Sequence, residues 1–199
     1  MPEAECLYIN NKLIVFFFVD NIAILSRTLD IDIYQSFQMH LFEQYEMRDL
    51  RELKWFLGIQ VIRDRLKHKI WLYQDSYIEK VAHTFHLTDG KAPPTPMLID
   101  ELLPYDGQAT PQEIYSYQRK VGSLTYATVI SRPDVARTAN KLAEFLTNPS
   151  PLHQAAADRA ICYLFHYKNL ALEYSSIDDT QRAFTSTSDA AFSDDSTTR

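Results

Sequence analysis

Residues 13 to 25, LIVFFFVDNIAIL, set seven apolar residues in a row, Leu13 to Val19, ahead of a second apolar run that begins at Ile22. Asp20 and Asn21 stand between them. Asn and Asp tolerate positive φ and bond their own backbone, so two β-strands joined at Asp20-Asn21 would give this pattern. The same pair also sets a carboxylate and a carboxamide at the tip of a buried hairpin, where a metal ion can use them. On these residues alone both readings stand.

Working outward, CLYI, Asn10-Asn11 and KLIVFFFV read as a preceding hairpin, so residues 5 to 25 form a three-stranded meander. Apolar residues then recur at helical spacing between about Thr28 and Tyr45, predicting a helix laid on that sheet. WFLGIQVIRD and HKIWLYQ alternate as a second hairpin turning between Asp64 and His68, and a helix follows over Asp75 to His86. Residues 89–112 hold five of the nine prolines and two of the four glycines, the mark of an irregular connector. Beyond it come three helical stretches, EIYSYQRKVGSLTYATVI, DVARTANKLAEFL and QAAADRAICYLFHY, broken at Ser131-Arg132-Pro133 and at TNPSPLHQ. LALEYSS reads as a strand, and the tail up to Asp189 offers another.

The fold class expected is therefore α+β. Of the 199 residues 46% are apolar, enough for a core. Cys6 and Cys162 lie far apart with no metal-ligand spacing, which argues against a disulfide framework or a zinc site and for an intracellular chain. No apolar run reaches the roughly 20 residues of a membrane helix, and the first residues lack a signal peptide's order of charge and hydrophobicity. A formal charge of −6 opposes tight binding to a phosphate backbone.

In order, FVDNIAIL, RDLRELKWFLGIQV, IWLYQDSYIEKVAHTF, PTPM, YQRKVGSLTYATVISRPDVA and SDAAFSDD closely resemble the pol polyprotein of copia-type retrotransposons. RDLRELKWFLGIQV and YQRKVGSLTYATVISRPDVA are the most specific parts. The resemblance implies that residues 1–88 are the C-terminal part of a reverse transcriptase palm, with the active-site hairpin and a primer-grip-like hairpin. It implies a linker over 89–112, a helical thumb or connection region over 113–170, and the truncated start of a ribonuclease H-like sheet over 171–199.

The implied function is RNA-directed DNA synthesis with magnesium, on an RNA or DNA primer-template, alongside the remainder of the pol polyprotein. Asp20 and Asn21 fall at the family's turn of two metal-binding acids, Asn21 replacing the second acid and its charge. Asp189 falls on one of the four acids of ribonuclease H. WFLGIQV falls on the primer-grip hairpin, which makes Trp55 a primer contact or a core aromatic, and the nearby Arg48 and Lys54 read as phosphate contacts or as cations that only solvate the surface. Arg51 stands where the family usually has glycine.

The first metal-binding aspartate of the family lies well upstream of Asp20. The chain is accordingly expected to be a fragment, inactive alone. The alternatives are an adopted non-catalytic binding protein and a polymerase module completed by an upstream partner. Asp194 and Asp195 read as a solvated polar loop, and neither the histidines nor the Ser123, Ser131 and His153 set shows a metal or hydrolase spacing.

Overall fold

A computed structural model describes residues 6–98 and 102–175. Its fold class is α+β, with two antiparallel sheets and five α-helices among the described residues. The chain divides into two compact units, residues 1–54 and 55–199. This division falls at Lys54/Trp55, whereas the sequence drew a boundary at 88/89. Residues 55–88 group with the helices that follow them.

The first unit is the meander. Strands β1 (Leu7–Ile9), β2 (Leu13–Phe18) and β3 (Asn21–Ser26) pair in that order. Asn10 shapes the first turn, its Oδ1 accepting from the backbone N–H of Lys12 at 2.8 Å and of Leu13 at 2.7 Å. After β3 a short 3₁₀ turn, Thr28–Asp30, leads into helix α1 (Ile31–Gln44). Arg27 fixes this corner by donating from Nε to Asp30 Oδ2 at 2.7 Å and from Nη2 to the Asn11 carbonyl at 3.1 Å. Among the described apolar side chains here only Leu13 and Ala23 are buried, and α1 buries none.

The second unit holds the core. Strands β4 (Trp55–Phe56), β5 (Ile59–Asp64) and β6 (Lys69–Tyr73) run as consecutive hairpins. The β5–β6 turn lies where the alternation placed it, and Asp64 Oδ1 holds it by accepting from the N–H groups of Leu66 and Lys67, each at 3.0 Å. The β4–β5 turn falls inside WFLGIQV, the stretch that the resemblance places on a hairpin. Leu57 (φ 52°) and Gly58 (φ 79°) are both left-handed, as a two-residue type I′ hairpin requires.

Strand β7 (Leu172–Ser175) completes this sheet against β6. Glu173 clasps it there, accepting from Lys69 Nζ and from Trp71 Nε1, each at 2.7 Å. Those two bonds, Lys69 first, hold the Glu173 carboxyl below its ordinary range. The strand expected over LALEYSS is thus present as far as Ser175, joined to residues 69–72. The rest of the expected ribonuclease H-like start lies outside the described residues.

Four helices build the core: α2 (Asp75–Thr84), α3 (Pro111–Ile130), α4 (Ala136–Ala143) and α5 (Pro151–His166). Each buries residues three or four apart, such as Tyr117, Val121, Leu124 and Ala127 of α3, or Ala157, Ala160, Ile161 and Leu164 of α5. Helices α3 and α5 start on capping boxes, Thr110 with Glu113 and Ser150 with His153, and each has proline in its first turn. The alanines of α5 let its backbone approach α2 and α3 closely.

Candidate functional site

The hairpin that carries Asp20 closes with Phe18 opposite Asn21, so its two-residue loop is Val19-Asp20. The sequence reading placed the turn one residue later, at Asp20-Asn21. In the structure Asn21 is the first residue of β3. Only the first loop residue is left-handed, Val19 at φ 52°. A type II′ turn prefers glycine there, because a β-branched side chain crowds the backbone. The strain falls beside the acid. Asp20 and Asn21 are both exposed, so the tip presents one carboxylate and one carboxamide to solvent.

Hard divalent cations bind several oxygen ligands, and a two-ion centre needs carboxylates enough to offset both charges. Among the described residues no group of three or more His, Cys, Asp or Glu is placed to share a metal ion. Asp20 is the charged ligand at the turn, and Asn21 adds only a neutral carbonyl. The described residues therefore do not by themselves fit a two-magnesium centre. Asp189, with Asp194 and Asp195, lies outside the described residues.

Arg48, Lys54 and Trp55 all lie on the surface. Arg48 and Lys54 sit in the irregular stretch between α1 and β4, and Trp55, half exposed, opens β4. Arg51 between them has φ 64°, so the position where the resemblance expects glycine does require a left-handed backbone. Asp49 Oδ1 steadies that bend by accepting from the Arg51 N–H at 2.6 Å.

Sequence reading missed a second collection of cationic and aromatic groups, between α2 and α3. A groove of about 530 Å³ is lined there by Tyr77, Lys80, Val81, Thr84 and Phe85 from the α2 side and by Arg119, Gly122, Ser123 and Tyr126 from α3. None of these is acidic. The Arg119 guanidinium lies 5.5 Å from the centre of the Phe85 ring and 5.7 Å from that of Tyr115. Tyr77 and Tyr126 meet at 4.8 Å between ring centres, and the Tyr77 hydroxyl donates to the Ser123 carbonyl at 3.2 Å. Burial pushes the Tyr77 hydroxyl above its ordinary pKa. Gly122 leaves the floor open, since a Cβ there would meet nothing within 4 Å.

The spacing of Tyr115, Arg119, Gly122 and Tyr126 at three and four residues was a signal available in the sequence. It marks one face of a helix opposite the buried Tyr117, Val121 and Leu124. The α2 half was not available, because no sequence pattern states which helix lies alongside.

In the Ser131-Arg132-Pro133-Asp134 segment the first two residues are buried and the last two are exposed. Arg132 is 1% exposed and donates from Nε to Asp134 Oδ1 at 2.9 Å, from Nη2 to Asp134 Oδ2 at 2.7 Å, and from Nη1 to the Tyr167 carbonyl at 3.0 Å. It anchors the α3–α4 corner to the end of α5. Ser131 donates to the buried Gln74 Oε1 at 2.8 Å, tying the same corner to the start of α2. Cys6 and Cys162 are both free thiols, and no described helix is long and apolar enough to cross a membrane.

A family model described as "Reverse transcriptase (RNA-dependent DNA polymerase)" matches residues 5–99. The Retrovirus-related Pol polyprotein from transposon TNT 1-94 of Nicotiana tabacum is 30% identical over 162 residues, 78% of this chain and 12% of that protein. The Putative transposon Ty5-1 protein of Saccharomyces cerevisiae is 29% identical over 72% of this chain and 46% of its own length. The Retrovirus-related Pol polyprotein from transposon RE1 of Arabidopsis thaliana is 29% identical over 63% of this chain and 8% of its own. The chain thus spans less than half the length of each of these relatives. No solved structure matches it. The chain belongs to the copia-type retrotransposon Pol polyproteins, with the reverse transcriptase match lying over residues 5–99.

Proposed function

We propose that this chain serves RNA-directed DNA synthesis as part of a copia-type reverse transcriptase, holding primer-template weakly and lacking competence for synthesis alone. In this reading residues 1–88 are the end of the palm, 113–170 a thumb-like or connection region, and 171–199 the start of a ribonuclease H-like sheet. Asp20 is the metal-binding acid of the palm hairpin. Magnesium, when bound, would neutralise the phosphates that react; the residues that complete its site come from elsewhere in the Pol polyprotein.

The observation that supports nucleic-acid holding is the α2–α3 groove, where Lys80 and Arg119 stand beside four aromatic rings with no acid in the lining. Cations contact phosphates without regard to sequence, and aromatic faces suit sugar edges and bases. Arg48 and Lys54 on the first unit, and Trp55 on the second, are further surface contacts, each taken by itself. Fluorescence anisotropy on a primed RNA template tests the reading. Binding is expected at roughly 10⁻⁴ to 10⁻⁶ M, fading steeply with salt. Affinity unchanged by Lys80→Ala with Arg119→Ala, and equally unchanged by Arg48→Ala with Lys54→Ala, would remove nucleic-acid binding from both surfaces.

A further inference from the structure

The segment Leu102–Thr110 is strapped onto the helical core by two side chains of opposite chemical character. At one end Asn148 holds it three times: Nδ2 donates to the carbonyls of Tyr105 at 3.1 Å and Gly107 at 2.9 Å, and Oδ1 accepts from the Ala109 N–H at 2.8 Å. A carboxamide does not titrate. At the other end the strap is held by His153, which is 1% exposed. Its Nδ1 accepts from the Ser150 N–H at 2.9 Å, which requires a bare ring nitrogen, so the proton sits on Nε2 and is donated to the Leu103 carbonyl at 3.0 Å. One neutral tautomer thus serves the α5 cap and the strap together.

We propose that His153 is a proton-operated clasp: gain of a proton at Nδ1 releases the Leu103 end of the strap and the imidazole half of the α5 cap, whose other half is the His153 N–H donated to Ser150 Oγ at 3.1 Å, while Asn148 keeps the Tyr105–Ala109 end in place. A protonated Nδ1 faces the Ser150 N–H donor to donor, and the ring must turn away. The imidazole is rigid, so turning Nδ1 aside also withdraws Nε2 from the Leu103 carbonyl. The site offers the charged ring little compensation. Its faces are apolar, with Phe145 stacked at 3.9 Å between ring centres and Tyr117 at 6.4 Å.

The titratable groups around the clasp give no counter-charge. From α3 comes the Tyr117 hydroxyl, committed to the Leu142 carbonyl at 2.8 Å. From the α4 end come Lys141, 5.9 Å from the Phe145 ring centre, and its partner Glu144. On α5 itself Asp158 is paired with Lys120 of α3. Among the described ion pairs none involves His153. Burial accordingly pushes the imidazole below its ordinary pKa, with the Leu103 bond opposing. The clasp is closed at neutral pH and opens as pH falls below that of an ordinary histidine.

Amide hydrogen exchange by NMR on the full chain tests this, with two amides serving as opposite reporters. The Ser150 N–H is bonded to the titrating nitrogen and the Ala109 N–H to the non-titrating one. After correction for intrinsic exchange, Ser150 protection is expected to fall about tenfold or more as pH is lowered from neutral through the His153 transition, which lies below that of an ordinary histidine, while Ala109 stays within about twofold. Imidazole nitrogen shifts are expected to report Nε2–H at the higher pH and protonation of Nδ1 at the midpoint of the Ser150 change. His153→Gln, whose carbonyl accepts without titrating, is expected to abolish the pH dependence. Constant Ser150 protection, equal loss at both amides, or an imidazole that stays neutral while Ser150 opens would each overturn the proposal. The nitrogen shifts decide the matter even if His153→Gln does not fold.

Discussion

Arg132 and Asp134, two residues apart on either side of Pro133, form a two-point ion pair at 2.9 and 2.7 Å, with the guanidinium wholly inside the core. A buried charge left without its partner costs about 3 to 5 kcal/mol. Asp134 is partly exposed, its side chain 34% accessible, which lowers the expected loss for Asp134→Asn to about 3 kcal/mol. Arg132→Lys is expected to lose nearly as much, because an ammonium cannot span both carboxylate oxygens and the Tyr167 carbonyl. Urea unfolding midpoints measure both.

The same pair predicts a pH dependence. Burial pushes the Asp134 carboxyl up, but the Arg132 hydrogen bonds and charge, helped by the Tyr163 hydroxyl, outweigh it and leave the pKa below the ordinary 3.8. A carboxyl with a depressed folded pKa binds fewer protons folded than unfolded, so its contribution is full above the unfolded value of 3.8 and is lost as pH falls from there through the folded pKa. Wild type is expected to lose stability below about pH 4 more steeply than Asp134→Asn. Parallel slopes in urea midpoint against pH would contradict the assignment.

Backbone sign makes a third prediction. Arg51 and Gly58 are both left-handed, at φ 64° and 79°, but only the second has the residue that such a backbone favours. Arg51→Gly is expected to stabilise by about 1 kcal/mol, and Gly58→Ala to destabilise by about 1 kcal/mol, although a Cβ at Gly58 has open space. Opposite signs in thermal unfolding are the expected result.

The groove between α2 and α3 makes a fourth. Lys80→Ala with Arg119→Ala is expected to weaken primer-template binding several-fold and to flatten the salt slope by up to about 2, one for each phosphate contact removed. Tyr126→Ala is expected to weaken binding with little change of slope, since it removes a ring and not a charge. Anisotropy titrations at about 50 and 200 mM salt separate the two behaviours.

Much of the fold was legible in the chain. The alternation around Asn10, Asp20 and Asp64 gave the strands. The helical stretches from Glu113 and from Gln154 were legible too, but both helices begin earlier, at Pro111 and Pro151, on capping residues that read as parts of breaks. What failed depended on distance or on backbone sign. Glu173 meets Lys69 across 104 residues, so nothing local placed β7 beside β6. The turn at Val19-Asp20 was missed by one residue because valine is not expected in a left-handed position, while Asn21 is a common turn residue. Arg132 read as part of a break, since sequence alone does not announce that a charged side chain is paired and buried. The candidate acid Asp20 was legible; the groove across two helices was not.

Primer extension tests the central claim most directly: the described residues supply Asp20 on a hairpin tip without the acids that complete a polymerase centre. The purified chain, given a primed RNA template and all four deoxynucleotides, is assayed with magnesium and again with manganese beside Asp20→Ala. The expected result is no extension above the Asp20→Ala control with either metal. Extension by the wild-type chain that Asp20→Ala abolishes would contradict the account, because it would mean that this chain completes the centre by itself.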